Sequence, residues 1–205
     1  MSHLVTIDVL GSKKVSLEKL QNEYREGITA RPEHIRKRLD VIRNKWIEQV
    51  EINFEKSNIV LIRGASGQGK TSLAYRYLLE RYAEEQIICI QKLTNENSIW
   101  AILNFLKREL EDREYVLYYD VQPGDTFWGI ILNAISMHLP DARLLVTVRE
   151  DDYNSSNISR GSVSYEEISL ELYEDEAREI YSQYEQNTFI SFDDLWKTFG
   201  NGGPL

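Results

Sequence analysis

One cysteine, Cys89, occurs in 205 residues, which excludes an intrachain disulfide and suits a reducing compartment. It falls inside the apolar run QIICIQ and reads as a buried core thiol rather than a nucleophile. Histidine is scarce too. His3, His34 and His138 are scattered and give no zinc-ligand spacing. No apolar run approaches the length of a membrane span, and the N-terminus lacks a secretory pattern, so the expected location is the cytoplasm. Positive charge is in deficit, with 24 Lys and Arg against 33 Asp and Glu for a net charge of −9. That balance argues against general nucleic-acid binding. The one basic cluster, RPEHIRKRLDVIRNK, reads as the solvated face of a helix. Internal repeats and low-complexity tracts are absent.

What the chain does have is GASGQGKT from Gly64 to Thr71, which fills the pattern G-x-x-x-x-G-K-[ST]. An apolar run, Ile59 to Ile62, precedes it and a helix-forming stretch, SLAYRYLLERYAEE, follows. Strand, glycine-rich turn and helix together make a phosphate cradle. Gly64, Gly67 and Gly69 permit backbone angles that turn successive N–H groups inward. Ala65, Ser66 and Gln68 complete the loop, and the helix starting near Lys70 and Ser72 adds its unpaired N–H groups. Lys70 is placed to reach the β- and γ-phosphates, and Thr71 to offer its hydroxyl to Mg²⁺. The expected ligand is a nucleoside triphosphate.

Apolar β-rich runs then alternate with helical patterns. Strands are expected at 86–91, 115–119, 143–148 and 168–172, with helices at 98–110 and 127–139 and over EDEAREIYSQY and SFDDLWKTF. Continuous apolar strands separated by helices imply an α/β fold with a parallel sheet covered on both faces. Ligand then lies beyond the C-terminal strand ends. Ahead of this domain, Leu4 to Leu10 is a strand candidate with no readable partner, and Ser16 starts a short helix. From Pro32 one long helix is expected, its apolar stripe formed by Ile35, Leu39, Ile42, Trp46 and Val50 and packed on the domain. The divisions expected are a mainly helical extension over 1–57 and a nucleotide-binding domain over 58–199.

Asp120 ends an apolar strand, where a carboxylate can hold the water shell of Mg²⁺ opposite Thr71. Val121 and Gln122 follow it, so the second acid that many such ATPases use to orient water is missing. Asp125 is the nearest substitute. Slow hydrolysis is therefore expected. Arg149 follows the strand LLVTV and projects towards the same crevice, where a guanidinium can sense a γ-phosphate. The alternative for Arg149 is a surface pair with Glu150 or Asp151. For Lys70, Asp120 and Arg149 the expectation is a catalytic role.

Taken together, these segments resemble the STAND class of signalling ATPases, relatives of the NB-ARC and NACHT modules within the AAA+-like group. LLVTVRE is similar to the family's sensor strand, through Thr147 and Arg149. ISLELYEDEAREIY resembles its L-x-x-L-x-x-x-E-A segment, through Leu170, Leu172, Glu176 and Ala177. GNGGPL is similar to its G-x-P-L segment, which would give Pro204, preceded by Gly202, a contact with adenine. ITARPEHI loosely resembles the segment ahead of the phosphate loop, which would place Arg31 at the nucleotide. Ala30 and Pro32 stand there where the family has glycine and glutamate. The resemblance implies a P-loop three-layer α/β/α sandwich with five parallel strands in the order 5-1-4-3-2. It also implies ATP or ADP with Mg²⁺ as ligands, and self-association when triggered. In that family a further helical region and a sensor array follow the G-x-P segment. Residues 200–205 would then begin that segment in a chain cut at a domain edge, with a viral or other protein trigger read by a downstream domain. The implied role is a nucleotide switch in bacterial antiviral defence, with no membrane partner and no direct nucleic-acid binding. Two other readings stay open: a nucleotide-stabilised scaffold without turnover, and a small-molecule kinase on the same loop. The kinase would need an arginine-rich lid, for which 151–164 offers only Arg160.

Overall fold

A computed structural model describes residues 7–9, 15–91, 95–109, 113–156, 163–184 and 190–199. In chain order these form β1 (Ile7–Val9), α1 (Leu17–Arg25), α2 (Pro32–Arg36), α3 (Asn44–Phe54), β2 (Ile59–Gly64) and α4 (Lys70–Arg81). After one 3-10 turn at Glu84–Gln86 come β3 (Ile87–Ile90), α5 (Glu96–Glu109), β4 (Val116–Asp120), α6 (Trp128–His138) and β5 (Arg143–Arg149). The chain continues through α7 (Glu150–Asn154), β6 (Glu166–Ser169), α8 (Glu174–Tyr184) and α9 (Phe192–Phe199).

The strands form one sheet in the order β1-β3-β4-β5-β2-β6. From β3 to β6 every pairing is parallel. Counted from the loop-bearing β2, those five strands run 5-1-4-3-2 when read from β6, the order expected. β1 supplies the partner that sequence alone did not reveal, pairing antiparallel with β3 through Ile7–Ile90 and Val9–Ile88.

Alternation along each strand feeds two separate cores, because successive side chains leave opposite faces of the pleat. Ile59 and Leu61 of β2, Leu117 and Tyr119 of β4, and Leu144 and Val146 of β5 pack under α5 and α6. Val60, Ile62, Val116, Tyr118 and Leu145 pack on the opposite side under α3 and α4. The result is a three-layer sandwich. Each fully buried aliphatic side chain contributes about 1.5–3 kcal/mol, so the central strands are the rigid part on which the site is mounted. Cys89 is buried in the second of these cores, as its surroundings suggested.

Helix boundaries follow local chemistry. Ser16 caps α1 by accepting from the Lys19 amide at 3.4 Å. Gly69, in the left-handed region at φ 78°, opens α4. α6 stops at His138, just before Pro140, which disfavours helical geometry in the residue ahead of it.

The single long helix expected from Pro32 does not form. α2 and α3 are separate, and between them Arg38 takes φ 54°. The reason is tertiary. Asp40 and Arg43, both in the connection, are buried and bound to other elements. A continuous helix would fix their directions by its own period. Ile42, a member of the expected stripe, is instead 45% exposed, while Ile47 and Phe54 join Trp46 and Val50 in the core. Nor is the basic cluster simply a solvated face: Arg31 pairs with Glu23, Arg36 with Glu84 at 2.7 Å, and Arg43 is buried. The residues after Arg149 form α7, and the last strand spans 166–169 rather than the expected 168–172.

Candidate functional site

The phosphate loop links the C-terminal end of β2 to α4, and its shape is enforced by crowding. A Cβ on Gly64 would lie 2.5 Å from Gln68 Oε1 and 2.8 Å from the Leu170 carbonyl oxygen, so glycine is required. Gln68 Oε1 also accepts from the Ala65 amide at 2.9 Å, closing the loop on itself. Gly67 (φ 82°) and Gly69 (φ 78°) hold left-handed angles that other residues adopt at a cost.

Lys70 sits inside this turn. Its ammonium donates to the carbonyls of Gly64 at 3.0 Å and Ala65 at 2.7 Å. Three donors are available on an ammonium, so one is left for an anion. Burial lowers the Lys70 pKa, and the Asp120 carboxylate opposes that shift.

Asp120 ends β4 directly across from Thr147 of β5. Thr147 Oγ1 donates to Asp120 Oδ1 at 2.6 Å, and Tyr118 OH lies 3.1 Å from the same Oγ1. Since the threonine proton is committed to the carboxylate, Tyr118 is the donor in that second bond. Burial raises the Asp120 pKa against hydrogen bonds from Thr147 and Thr71 and the nearby Lys70 charge. Thr71 and Asp120 both line the cavity, and the hydroxyl is near enough to hold the Asp120 pKa down, as expected of a pair facing a cation.

Arg149 ends β5 in register with Gly64. It is exposed, lines the cavity, and acts on Lys70 and Asp120 only through space. Glu150 is engaged by Arg63 instead, so the surface pair with Arg149 does not form.

Around these groups lies a cavity of about 550 Å³. Residues 66–72, Asp120 and Arg149 line it. So do Ile28, Ala30 and Val41 from the N-terminal region, Leu172 just ahead of α8, Ile180 of α8 and Leu195 of α9. Asp40 and Asp120 are the carboxylates on the wall among the described residues. Asp40 is already held at both oxygens by Arg76, which also donates to the Ile35 carbonyl at 3.3 Å.

Of the residues expected at the site, Ser66 to Ser72, Asp120 and Arg149 converge, with the Gly64 and Ala65 carbonyls behind Lys70. Arg31 does not join them. Its guanidinium pairs with Glu23 and its amide donates to His34 Nδ1 at 3.1 Å, while its neighbours Thr29 and Ala30 line the cavity. Pro204 and Arg160 lie outside the described residues. Asp125 is no second acid: it is buried, accepting from Tyr119 OH at 2.5 Å and the Phe127 amide at 2.9 Å. Arg43, Asp40 and Arg76 were not foreseen. Two of them sat in a run that read as solvated surface, and a buried salt bridge leaves no local pattern.

No group of three or more His, Cys, Asp or Glu able to hold a metal occurs among the described residues. A cation here would draw one hydroxyl and one carboxylate from the chain and its other ligands from phosphate and water, which suits Mg²⁺. The groups present therefore fit a magnesium nucleotide: a glycine-rich loop opening a helix, a buried ammonium with a spare proton, and Thr71 and Asp120 on the same wall.

Neither protein-family models nor characterised protein sequences give a match. Solved structures do. The chain is similar to the RuvB Holliday junction branch migration motor of Thermotoga maritima, with 20% identity, a TM-score of 0.50, and coverage of 80% of this chain and 58% of that one. This is a P-loop NTPase fold. A Walker-type ATPase of Pyrococcus abyssi (16% identity, TM-score 0.47, 80% and 64% coverage) and Rhizobiales Trip13 (15%, 0.48, 90% and 74%) are also similar. The chain spans less than two thirds of the length of the first two. At these identities the likeness is one of fold, and the fold shared is that of P-loop NTPases. No helix among the described residues is long and apolar enough to cross a membrane.

Proposed function

We propose that the chain is an ATP-binding module that works as a nucleotide-dependent switch with slow Mg²⁺-dependent hydrolysis. The observation carrying this is the convergence of Lys70, Thr71, Asp120 and Arg149 on one cavity, with no second free carboxylate on its wall among the described residues. A bound magnesium nucleotide would bring the scissile phosphoanhydride. The loop amides and Lys70 orient and neutralise its phosphates. Thr71 and Asp120 hold the metal. Arg149, free of an ion pair, is placed to respond to the terminal phosphate. With Asp125 locked by Tyr119 and Asp40 by Arg76, Asp120 alone among the described carboxylates on the cavity wall can order a water molecule, and that favours retention of nucleotide over turnover.

The further reading belongs to the same proposal: a STAND-class signalling ATPase whose nucleotide state governs self-association, acting in antiviral defence with a protein trigger read elsewhere. Its support is the similarity of LLVTVRE and ISLELYEDEAREIY to that family's segments. The proposed site adds Pro204 and Arg31 as the nucleotide contacts that the resemblance implies. The proposed divisions are the extension 1–57, the domain 58–199 and the segment 200–205. A scaffold holding nucleotide without hydrolysis is the second reading, favoured by the same missing acid.

Calorimetry with Mg-ATP and Mg-ADP, followed by single-turnover hydrolysis, tests this. Both nucleotides should bind, and hydrolysis should fall well below the median enzyme rate of about 10 per second. No detectable hydrolysis selects the scaffold. Phosphate transfer seen only when a small-molecule acceptor is added selects a kinase. Absence of heat with either nucleotide ends the proposal.

A further inference from the structure

Beyond the residues that face phosphate and metal, one buried guanidinium joins the phosphate loop to the segment that leads into α8. Arg43 precedes α3 and is 8% exposed. Its Nη1 donates to the Gln68 carbonyl of the phosphate loop at 3.0 Å. Its Nη2 donates to the Glu171 carbonyl at 2.7 Å and to Glu176 Oε2 at 2.6 Å, in the first turn of α8. The segment it grips, 171–177, is the one that carries Leu172 and α8 to the cavity wall. Trp46, one turn further along α3, stacks on Tyr173 of that segment at 6.0 Å. Arg43 is thus bonded at once to the loop that would hold phosphate and to the segment that brings Leu172 and Ile180 to the cavity wall.

A guanidinium is suited to this because its donors are rigidly spaced and always charged. The charge-assisted bond to Glu176 fixes α8, while the bond to Gln68 fixes the loop, so the separation between loop and α8 is set by a single planar group. An extended ligand with an anionic end and an apolar end would feel that separation. A compact anion would feel the loop alone.

Resting on the nucleotide reading above, we propose that Arg43 and Glu176 are positioning residues that set the spacing between the phosphate loop and the α8 wall, and so select a base-bearing polyphosphate over a bare one. Neither touches the phosphates. Glu176 acts through Arg43, and Arg43 acts through the loop carbonyl and α8.

The test compares Mg-ATP with magnesium tripolyphosphate, by calorimetry on the full chain. Glu176→Ala should weaken Mg-ATP by about tenfold, the scale of one charge-assisted hydrogen bond. It should leave tripolyphosphate within about twofold, inside the spread of neutral changes. Glu176→Gln, which keeps an acceptor for Arg43, should recover part of the loss. Arg43→Gln should weaken both probes, because it also releases Gln68. Thermal unfolding of Glu176→Gln checks that the fold persists, and that variant carries the test if the alanine form does not fold. Equal loss of both probes in Glu176→Ala, or loss of neither, overturns the spacing role while leaving the nucleotide site standing. If the unaltered chain binds neither probe, the nucleotide reading fails and this inference goes with it.

Discussion

The phosphate loop and the connection 37–43 are neighbours in space, yet they hold their shapes for opposite reasons. The loop is shaped from within. Gly64, Gly67 and Gly69 supply its angles, Gln68 ties it to Ala65, and Lys70 fills its centre. The connection is shaped from outside, by Asp40 reaching Arg76 on α4 and Arg43 reaching the loop and α8. Structure written in local spacing survives being read one residue at a time. Structure written in partners does not.

That contrast can be broken most forcefully at Asp40. Removing one member of a buried pair strands the other, which costs about 3–5 kcal/mol. Asp40→Ala should therefore lower the urea midpoint sharply, and Arg76→Met in the same chain should recover much of the loss. If Asp40→Ala is neutral, the connection is not held by that pair. Lys70→Ala comes next and should do the reverse, sparing stability while weakening Mg-ATP by about 2–3 kcal/mol, the scale of a charged hydrogen bond. Calorimetry and unfolding on one sample separate the two effects.

A smaller effect concerns pH. Burial lowers the Lys70 pKa below the ordinary 10.5. A bound polyanion favours the ammonium, so binding takes up protons on the alkaline side. Affinity should begin to fall at lower pH than an ordinary lysine would dictate. At the acid end, Asp120 titrates above the ordinary 3.8 because it is buried. Protons there compete with the metal, so the Mg²⁺ dependence of binding should fade earlier on acidification than a surface carboxylate would allow. Nucleotide titrations across pH in Lys70→Arg and Asp120→Asn assign each limb; a limb that survives its own substitution belongs to another group. Smallest of all, Ile42→Ser should change stability by no more than about 0.5 kcal/mol. A loss of core magnitude would mean that the expected stripe was right after all.

Much of the fold was legible because apolar runs of strand length, separated by helices, leave few topologies open. The strand order came from the family resemblance, and the β2–β5, β4–β5 and β2–β6 pairings agree with it. Asp120 and Arg149 were found because each stands at a strand end, where position alone implies direction, whereas Thr147 came from the family resemblance. Arg43 was missed because burial of a charge is decided by what lies opposite, here Glu176, 133 residues away. The break at Arg38 was missed because Ile35, Leu39, Ile42 and Trp46 happen to keep a helical interval across a non-helical stretch. Arg31 followed Glu23, a nearby carboxylate that the motif comparison did not consider.

The antiparallel pairing of Ile7–Val9 with Ile88–Ile90 has a consequence for handling the protein. A bare sheet margin is a template on which another molecule can add a strand, and nature commonly blunts such margins with very short terminal strands. β1 is a three-residue guard of this kind over β3. Trimming the chain ahead of residue 15 would uncover the hydrogen-bonding groups of β3, so loss of monodispersity at high concentration is the outcome to expect from that shortening.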